Sequence, residues 1–324
     1  MTDKADRPDQ PLQTAGATPA GAGPVMEFES YRAPRNQWWD VWDQFKTHKG
    51  ALFGLGFFIF AILFVTIGPI VWAIDPQTPF AGPRNADPSL AHPMGTDQLG
   101  RDTMARMMAG GQISIAVGLT AMLLAVVLGT FIGVMAGYFR RLDGPLMRLT
   151  DLFLAMPLLP LLLVIIMLFR DQLRAAFGPE GGIFILIVFV IGATSWMQTA
   201  RVVRGDVLAI KEREFVLAAR SIGTPSHRMI TRHLLPNVMS PIMVSATLGI
   251  ANAIITESAL SFLGLGFPSD FPTWGKLLFD ATDFLQQHPE RVIWPGVMIS
   301  LTVLAVNYIG DGLRDALDPR IRGR

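Results

Sequence analysis

Charge and cysteine are what this sequence has least of. Only 16% of its 324 residues are Asp, Glu, Lys or Arg, against roughly 25% in an ordinary soluble domain, so a typical cytosolic globule is excluded. Cysteine is absent, which removes a disulfide framework, a thiol nucleophile and a Cys-ligated zinc site. Neither Gly-x-Ser-x-Gly nor His-Glu-x-x-His occurs, so no residue is assigned a catalytic role. Gly-x-x-x-x-Gly-Lys-[Ser/Thr] is missing as well: Gly275-Lys276 is followed by Leu277, and the chain offers no phosphate-binding loop. His233 has no second His at ligand spacing, so the sequence supplies no metal site. A net charge near +1 gives no reason to expect a nucleic acid partner.

What is present is apolar and segmented. Residues of the apolar set make up 51% of the chain, and six runs lack any Asp, Glu, Lys or Arg: 50–74, 107–139, 152–169, 181–200, 234–256 and 292–310. A bilayer-spanning helix needs about 20 such residues. The expectation is an all-α polytopic membrane protein with six transmembrane helices over 50–324, at about 50–73, 112–137, 151–169, 183–202, 237–258 and 293–310. Gly129, Gly133 and Gly137 in the second span are four apart, which puts small residues on one helix face where another helix can approach. Pro157 and Pro160 should kink the third. Residues 1–36 are rich in Pro, Gly, Ala, Thr and Asp, and read as a disordered tail. Residues 37–49, with Trp38, Trp39, Val41, Trp42 and Phe45 before Lys46 and Lys49, read as an interfacial amphipathic helix or as the first span extended into water.

Lys and Arg set the orientation. With the N-terminus inside, 20 of the 27 fall on the cytoplasmic side and seven on the outside. This places both termini in the cytoplasm. An outer loop then runs over 74–109.

The third cytoplasmic connection is the most informative segment. It reads Arg201-Val-Val-Arg204-Gly-Asp206 and onward through Lys211, Glu214, Ala218, Ala219, Arg220, Gly223, Thr224 and Pro225 to Arg232-His233-Leu-Leu-Pro236-Asn237. This spacing predicts two short coupling helices within 205–235. The first runs from about Lys211 to Ile222 and stops at Gly223, which can take the left-handed position. The second is capped by Thr224, opens on Pro225 and ends before Pro236. Glu214 and Ala218, four apart, share a face with Ala219 beside them, and Phe215 and Ile222 supply apolar anchors. Such a face can enter a groove on another protein.

Glu214, Ala218, Ala219, Gly223 and Pro236 resemble the EAA signature of permease subunits of ATP-binding-cassette importers, the element that docks on the ATPase subunits. The chain is similar, more narrowly, to the second permease of the dipeptide, oligopeptide and nickel importer family. Four blocks carry the likeness: Arg232 to Asn237; His92-Pro-Met-Gly95-Thr96-Asp97-Gln-Leu-Gly100-Arg101-Asp102; Glu257 to Gly266; and Gly310 to Arg320. Met108-Ala-Gly-Gly-Gln112 departs from the Arg or aromatic residue that the family often has before span two. The resemblance implies a type I importer permease fold, with a second homologous permease, two ABC ATPase subunits and an extracytoplasmic solute-binding protein as partners, in the cytoplasmic (inner) membrane of a bacterium. It also implies no cofactor on this chain, with ATP and Mg on the ATPase subunits, and peptides or related solutes as substrate.

Three further groups are candidates. In the outer motif Gly95, Thr96, Asp97, Gly100, Arg101 and Asp102, either Thr96 or Asp97 can cap a helix from Gln98 to Ala109. The motif either binds substrate or a delivering protein, or braces the outer mouth. Glu257, at the outer end of span five with Asn252, Thr256 and Ser258 nearby, either lines the path or pairs within the subunit. Asp311, Asp315 and Asp318 with Arg314 and Arg320 read as a solvated helix end. A self-sufficient secondary transporter is the alternative function, but nearly uncharged span interiors offer it no ion relay.

Overall fold

The computed structural model describes residues 37–268 and 270–317. The tail 1–36, together with Asp318 and Arg320, lies outside the described residues. Among them the chain is helical, with no strand and a single isolated bridge between Thr96 and Asp102.

Helix α1 (Gln37–Thr47) is separated from α2 (Lys49–Thr66) by His48, whose backbone is extended. The His48 ring then caps α2, Nδ1 accepting from the Ala51 amide at 2.9 Å. Val41 and Phe45 of α1 pack on Ala51 and Ala316, so α1 is held against the end of the final helix. A short turn, α3 (Gly68–Val71), leads into a loop that lasts until Asp102.

Helix α4 (Thr103–Tyr138) is the central post. Its 36 residues are about 54 Å long at 1.5 Å per residue, well beyond the ~30 Å of a hydrocarbon core. The outer loop expected to reach Ala109 therefore ends at Asp102, and no separate helix runs from Gln98. Along α4 the predicted glycine face meets α8 (Trp196–Ile210). A Cβ on Gly129 would lie 2.6 Å from the Trp196 carbonyl oxygen, and one on Gly133 2.6 Å from that of Ala200. Only a glycine surface lets these backbones approach so closely.

The third predicted span is redrawn. In place of one kinked helix over 151–169 there are α5 (Arg140–Ala155) and α6 (Leu158–Phe177), bent by 88° at Met156 and Pro157. Pro157 lacks an amide donor and stands as the N-cap of α6, so it ends one helix and starts the next. Arg204 of α8 holds α5 through a two-pronged pair with Asp143, whose Nη2–Oδ2 arm is 2.8 Å, and Arg201 pairs with Asp151.

Helix α7 (Pro179–Ala193) continues into α8 across a break at Thr194 and Ser195. After α8 come α9 (Glu214–Ser221) and α10 (Ser226–Arg228), the latter running through a π turn (Met229–Leu234) and a 3-10 turn (Leu235–Val238) into α11 (Met239–Phe262). Helices α12 (Trp274–Thr282) and α13 (Glu290–Leu317) complete the chain. Helix α13 packs antiparallel to α2: a Cβ on Gly54 would be 2.5 Å from the Ala305 carbonyl oxygen, and one on Gly312 2.3 Å from the Ala51 Cβ.

Among the described residues five runs are long and apolar enough to cross a membrane: Lys49–Thr66, Thr103–Tyr138, Pro179–Ile210, Ser226–Phe262 and Glu290–Leu317, with the bent α5–α6 pair as a sixth. The core lies where α4, α6, α7 and α11 meet, around Val117, Ala121, Leu162, Ile166, Ile187, Ile191 and Leu260. Phe53, Phe60, Leu123, Phe131, Met167 and Leu168 point outward, as expected of surfaces solvated by lipid or by another subunit.

Candidate functional site: a displayed knuckle, a neutral cavity and a buried outer knot

At one end of the molecule the segment after α8 forms a knuckle. Helix α9 begins at Glu214, three residues later than expected, because Lys211 to Arg213 make a turn after α8. It ends as a Schellman motif: the Thr224 amide donates to the Ala219 carbonyl and the Gly223 amide to that of Arg220. Gly223 has φ +81°, a conformation that any side chain strains and that a β-branched one strains most.

The faces of α9 divide differently from the sequence reading. Ala219 turns inward with Val216 into an apolar cluster that also holds Val203, Val207, Met229 and Leu234, so it belongs to the chain's own core. Glu214, Phe215, Ala218, Ile222 and Gly223 stay outside. Ile222 is 84% exposed and Phe215 46%. The second helix is also corrected. Its N-cap is Pro225, not Thr224, and it does not stop before Pro236. The π turn bonds the Leu235 amide to the Ile230 carbonyl, and Asn237 Nδ2 donates to the His233 carbonyl at 2.7 Å, so the proline is carried without ending the helix. Helix α9 therefore rests on the π turn that runs into α11 and shares one apolar cluster with α8.

Those two helices wall a cavity of about 550 Å³. Both helix breaks open onto it, through Met156 and Leu158 on one side and Thr194 and Ser195 on the other. Gln198, Ser245, Asn252 and Thr256 give it polar atoms, and Met122 and Met197 give it soft apolar surface. None of the residues lining it is Asp, Glu, Lys or Arg.

Glu257 is not among them. It is fully buried between α4, α11 and α12, where Ser114 Oγ donates to it at 2.9 Å and Ser261 Oγ at 2.7 Å. Ser114 Oγ in turn accepts from the Trp274 amide at 3.2 Å. The carboxylate is a fastening of the core, and only Asn252 of the two predicted path residues faces the cavity. Adjacency in sequence concealed this, since Asn252 and Glu257 lie on different faces of one helix.

The outer motif closes into a knot. Asp102, fully buried, is the N-cap of α4 and accepts from the Ala105 amide at 2.7 Å and Trp72 Nε1 at 3.1 Å, while His92 Nδ1 lies 2.7 Å from its other oxygen. The cap is thus Asp102 and neither Thr96 nor Asp97. Asp97 instead accepts from the Leu99 and Arg101 amides, Arg101 Nε at 2.6 Å and Arg106 Nη1 at 3.2 Å. Thr96 Oγ1 accepts from the Ala86 amide and donates to the Pro83 carbonyl. Gly95 and Gly100 turn the chain at φ +74°. Arg291, from the start of α13, reaches the Thr96 carbonyl and Asn85 Oδ1, a role that no local pattern in the sequence announces.

Residues 125–323 match the family described as binding-protein-dependent transport system inner membrane component, and residues 36–91 match the N-terminal TM domain of oligopeptide transport permease C. The chain is 37% identical over 306 residues to the dipeptide transport system permease protein DppC of Alkalihalophilus pseudofirmus, covering 94% of this chain and 96% of the relative. It is 40% identical over 285 residues to DppC of Bacillus subtilis (87% and 86%) and 37% identical over 287 residues to that organism's oligopeptide transport system permease protein OppC (88% and 90%). The chain belongs to the binding-protein-dependent transport system inner membrane components, the permeases of ABC importers, which are transport subunits and not enzymes and work with the other subunits of their system.

Proposed function

We propose that this permease carries peptides or related solutes inward through the α4, α8 and α11 cavity, driven by two ABC ATPase subunits that grip α9. A second homologous permease completes the path, an extracytoplasmic solute-binding protein delivers the substrate, and ATP and Mg²⁺ belong to the ATPase subunits. The observation that carries this reading is α9 itself, which displays Ile222, Phe215 and Glu214 on its outer side while its inner side is packed on the helices of the cavity.

In this mechanism ATP draws the ATPase subunits together and α9 moves with them. Val216 and Ala219 pass the displacement to α8 and to the π turn that leads into α11. Those helices switch the cavity from inward- to outward-open. A cavity wall without formal charge suits peptides, because side chains of either sign meet neutral hydrogen-bonding groups and adaptable methionines in place of a fixed opposite charge. Both termini are assigned to the cytoplasm from the basic residues, and α1 lies at the end of α13, as that assignment requires.

Gly223→Val and Glu214→Lys test the reading in reconstituted transporters. Uptake and substrate-stimulated ATP hydrolysis should both fall at least tenfold while the protein still inserts and assembles. Unchanged uptake and stimulation in both variants would remove the coupling assignment. Competition of uptake by a panel of peptides tests the substrate class.

A further inference from the structure

A cluster at the end of the molecule that carries the outer knot lies outside the cavity lining and outside α9. His288 and Glu290 flank Pro289 at the start of α13, and Asp87 precedes Pro88 in the 72–102 loop, about 200 residues earlier in the chain. His288 Nδ1 lies 3.1 Å from Glu290 Oε1 and 3.5 Å from Asp87 Oδ1, and the three atoms all fall within 4.8 Å of one another. Among the described residues neither carboxylate has a Lys or Arg within ion-pair distance. The adjacent Arg291 is committed elsewhere, with Nη2 on Asn85 Oδ1 at 3.0 Å and on the Thr96 carbonyl, and its guanidinium over the Phe284 ring.

Two carboxylates on one imidazole nitrogen are one partner short. A single Nδ1 proton can serve one oxygen well, and the other is left to solvent and to the more distant charge of the Arg291 guanidinium. A divalent cation between the three would give each a direct bond. Zinc bonds to imidazole nitrogen and carboxylate oxygen are about 2.0–2.2 Å long, so ligand atoms of a tetrahedral site stand about 3.4 Å apart. The two distances to His288 bracket that value. An imidazole ligand favours zinc and its neighbours over calcium or magnesium, which take all-oxygen sites.

We propose that Asp87, His288 and Glu290 bind a zinc ion that staples the 72–102 loop to the start of α13, with the fourth position left to water. Both halves are already held. The His288 amide donates to the Phe284 carbonyl at 2.8 Å, and the His288 carbonyl accepts from the Arg291 amide. Beside Asp87, Ala86 exchanges hydrogen bonds with Thr96 through its amide and its carbonyl. The Asp87 side chain is 85% exposed and that of His288 16%, so the ion has an entrance from solvent and one sheltered ligand. From sequence the site was invisible, because His288 has no ligand partner nearby except Glu290 and the third comes from a distant loop.

The test uses the assembled transporter, purified on a histidine-free tag, stripped with chelator and titrated with Zn²⁺. Wild type should hold one more equivalent per copy of this chain than the triple variant Asp87→Asn, His288→Gln, Glu290→Gln. Asp87→Asn or His288→Gln alone should weaken that equivalent at least tenfold. X-ray absorption of the bound zinc should show one imidazole with oxygen ligands. In chelator the variants should melt with wild type, and added Zn²⁺ should raise the melting temperature of wild type alone. Equal zinc content in wild type and triple variant, or zinc bound without imidazole, would overturn the proposal.

Discussion

The knot around Asp97 and Asp102 and the α9 knuckle sit at opposite ends of α4, and they dispose of their polar and apolar groups in opposite ways. Around Asp97 and Asp102 the side chains turn inward and are spent on one another: a cap, an indole, a histidine and two arginines meet two carboxylates. On α9 the side chains turn outward, and Ile222 and Phe215 remain uncovered although the chain has apolar surface to bury them against. Both segments are equally motif-like in sequence. The structure separates a motif that holds the fold from one that is offered to a partner, and it does so by burial.

Breaking the knot should have the largest effect. Asp102→Ala leaves Trp72 Nε1, His92 and the Ala105 amide without their acceptor in a buried place, a loss on the order of 3–5 kcal/mol. Yield and thermal melting of the assembled transporter should fall sharply, with the coupling ratio of any surviving protein unchanged. Gly133→Val, near the knuckle end of α4, should cost less. Its Cβ would meet the Ala200 carbonyl oxygen at 2.6 Å and the Val203 Cβ at 2.8 Å, and overpacking of that kind costs about 1–3 kcal/mol. Melting measures it. The smallest effect on stability belongs to the knuckle: Ile222→Cys removes an exposed side chain and should change stability by no more than about 0.5 kcal/mol.

Much of this was readable from sequence because the signals are local. A charge-free run states a span, and glycines four apart state a close helix contact, which α8 then supplies. Gly223 stated the end of α9 through its backbone alone. What failed depended on distant partners. Thr96 and Asp97 each read as a cap, yet the cap of α4 is Asp102, on which Trp72 and His92 converge. Pro157 marks a break but carries no information about an 88° turn. For Glu257 the sequence left two readings open, the path or a pairing within the subunit, and Ser114 from another helix decides for the second. Ala219 looked like part of a docking face until the π turn and α8 were seen to occupy that side.

The absence of cysteine makes the central claim directly measurable, since Ile222→Cys creates the chain's only thiol. In membranes holding the assembled transporter, a short thiol-to-amine cross-linker should join position 222 to an ATPase subunit, and Leu90→Cys, at a fully exposed position of the 72–102 loop, should give no such product. No ATPase adduct from position 222, or an equal one from position 90, would contradict the assignment of α9 as the element that receives the work of ATP.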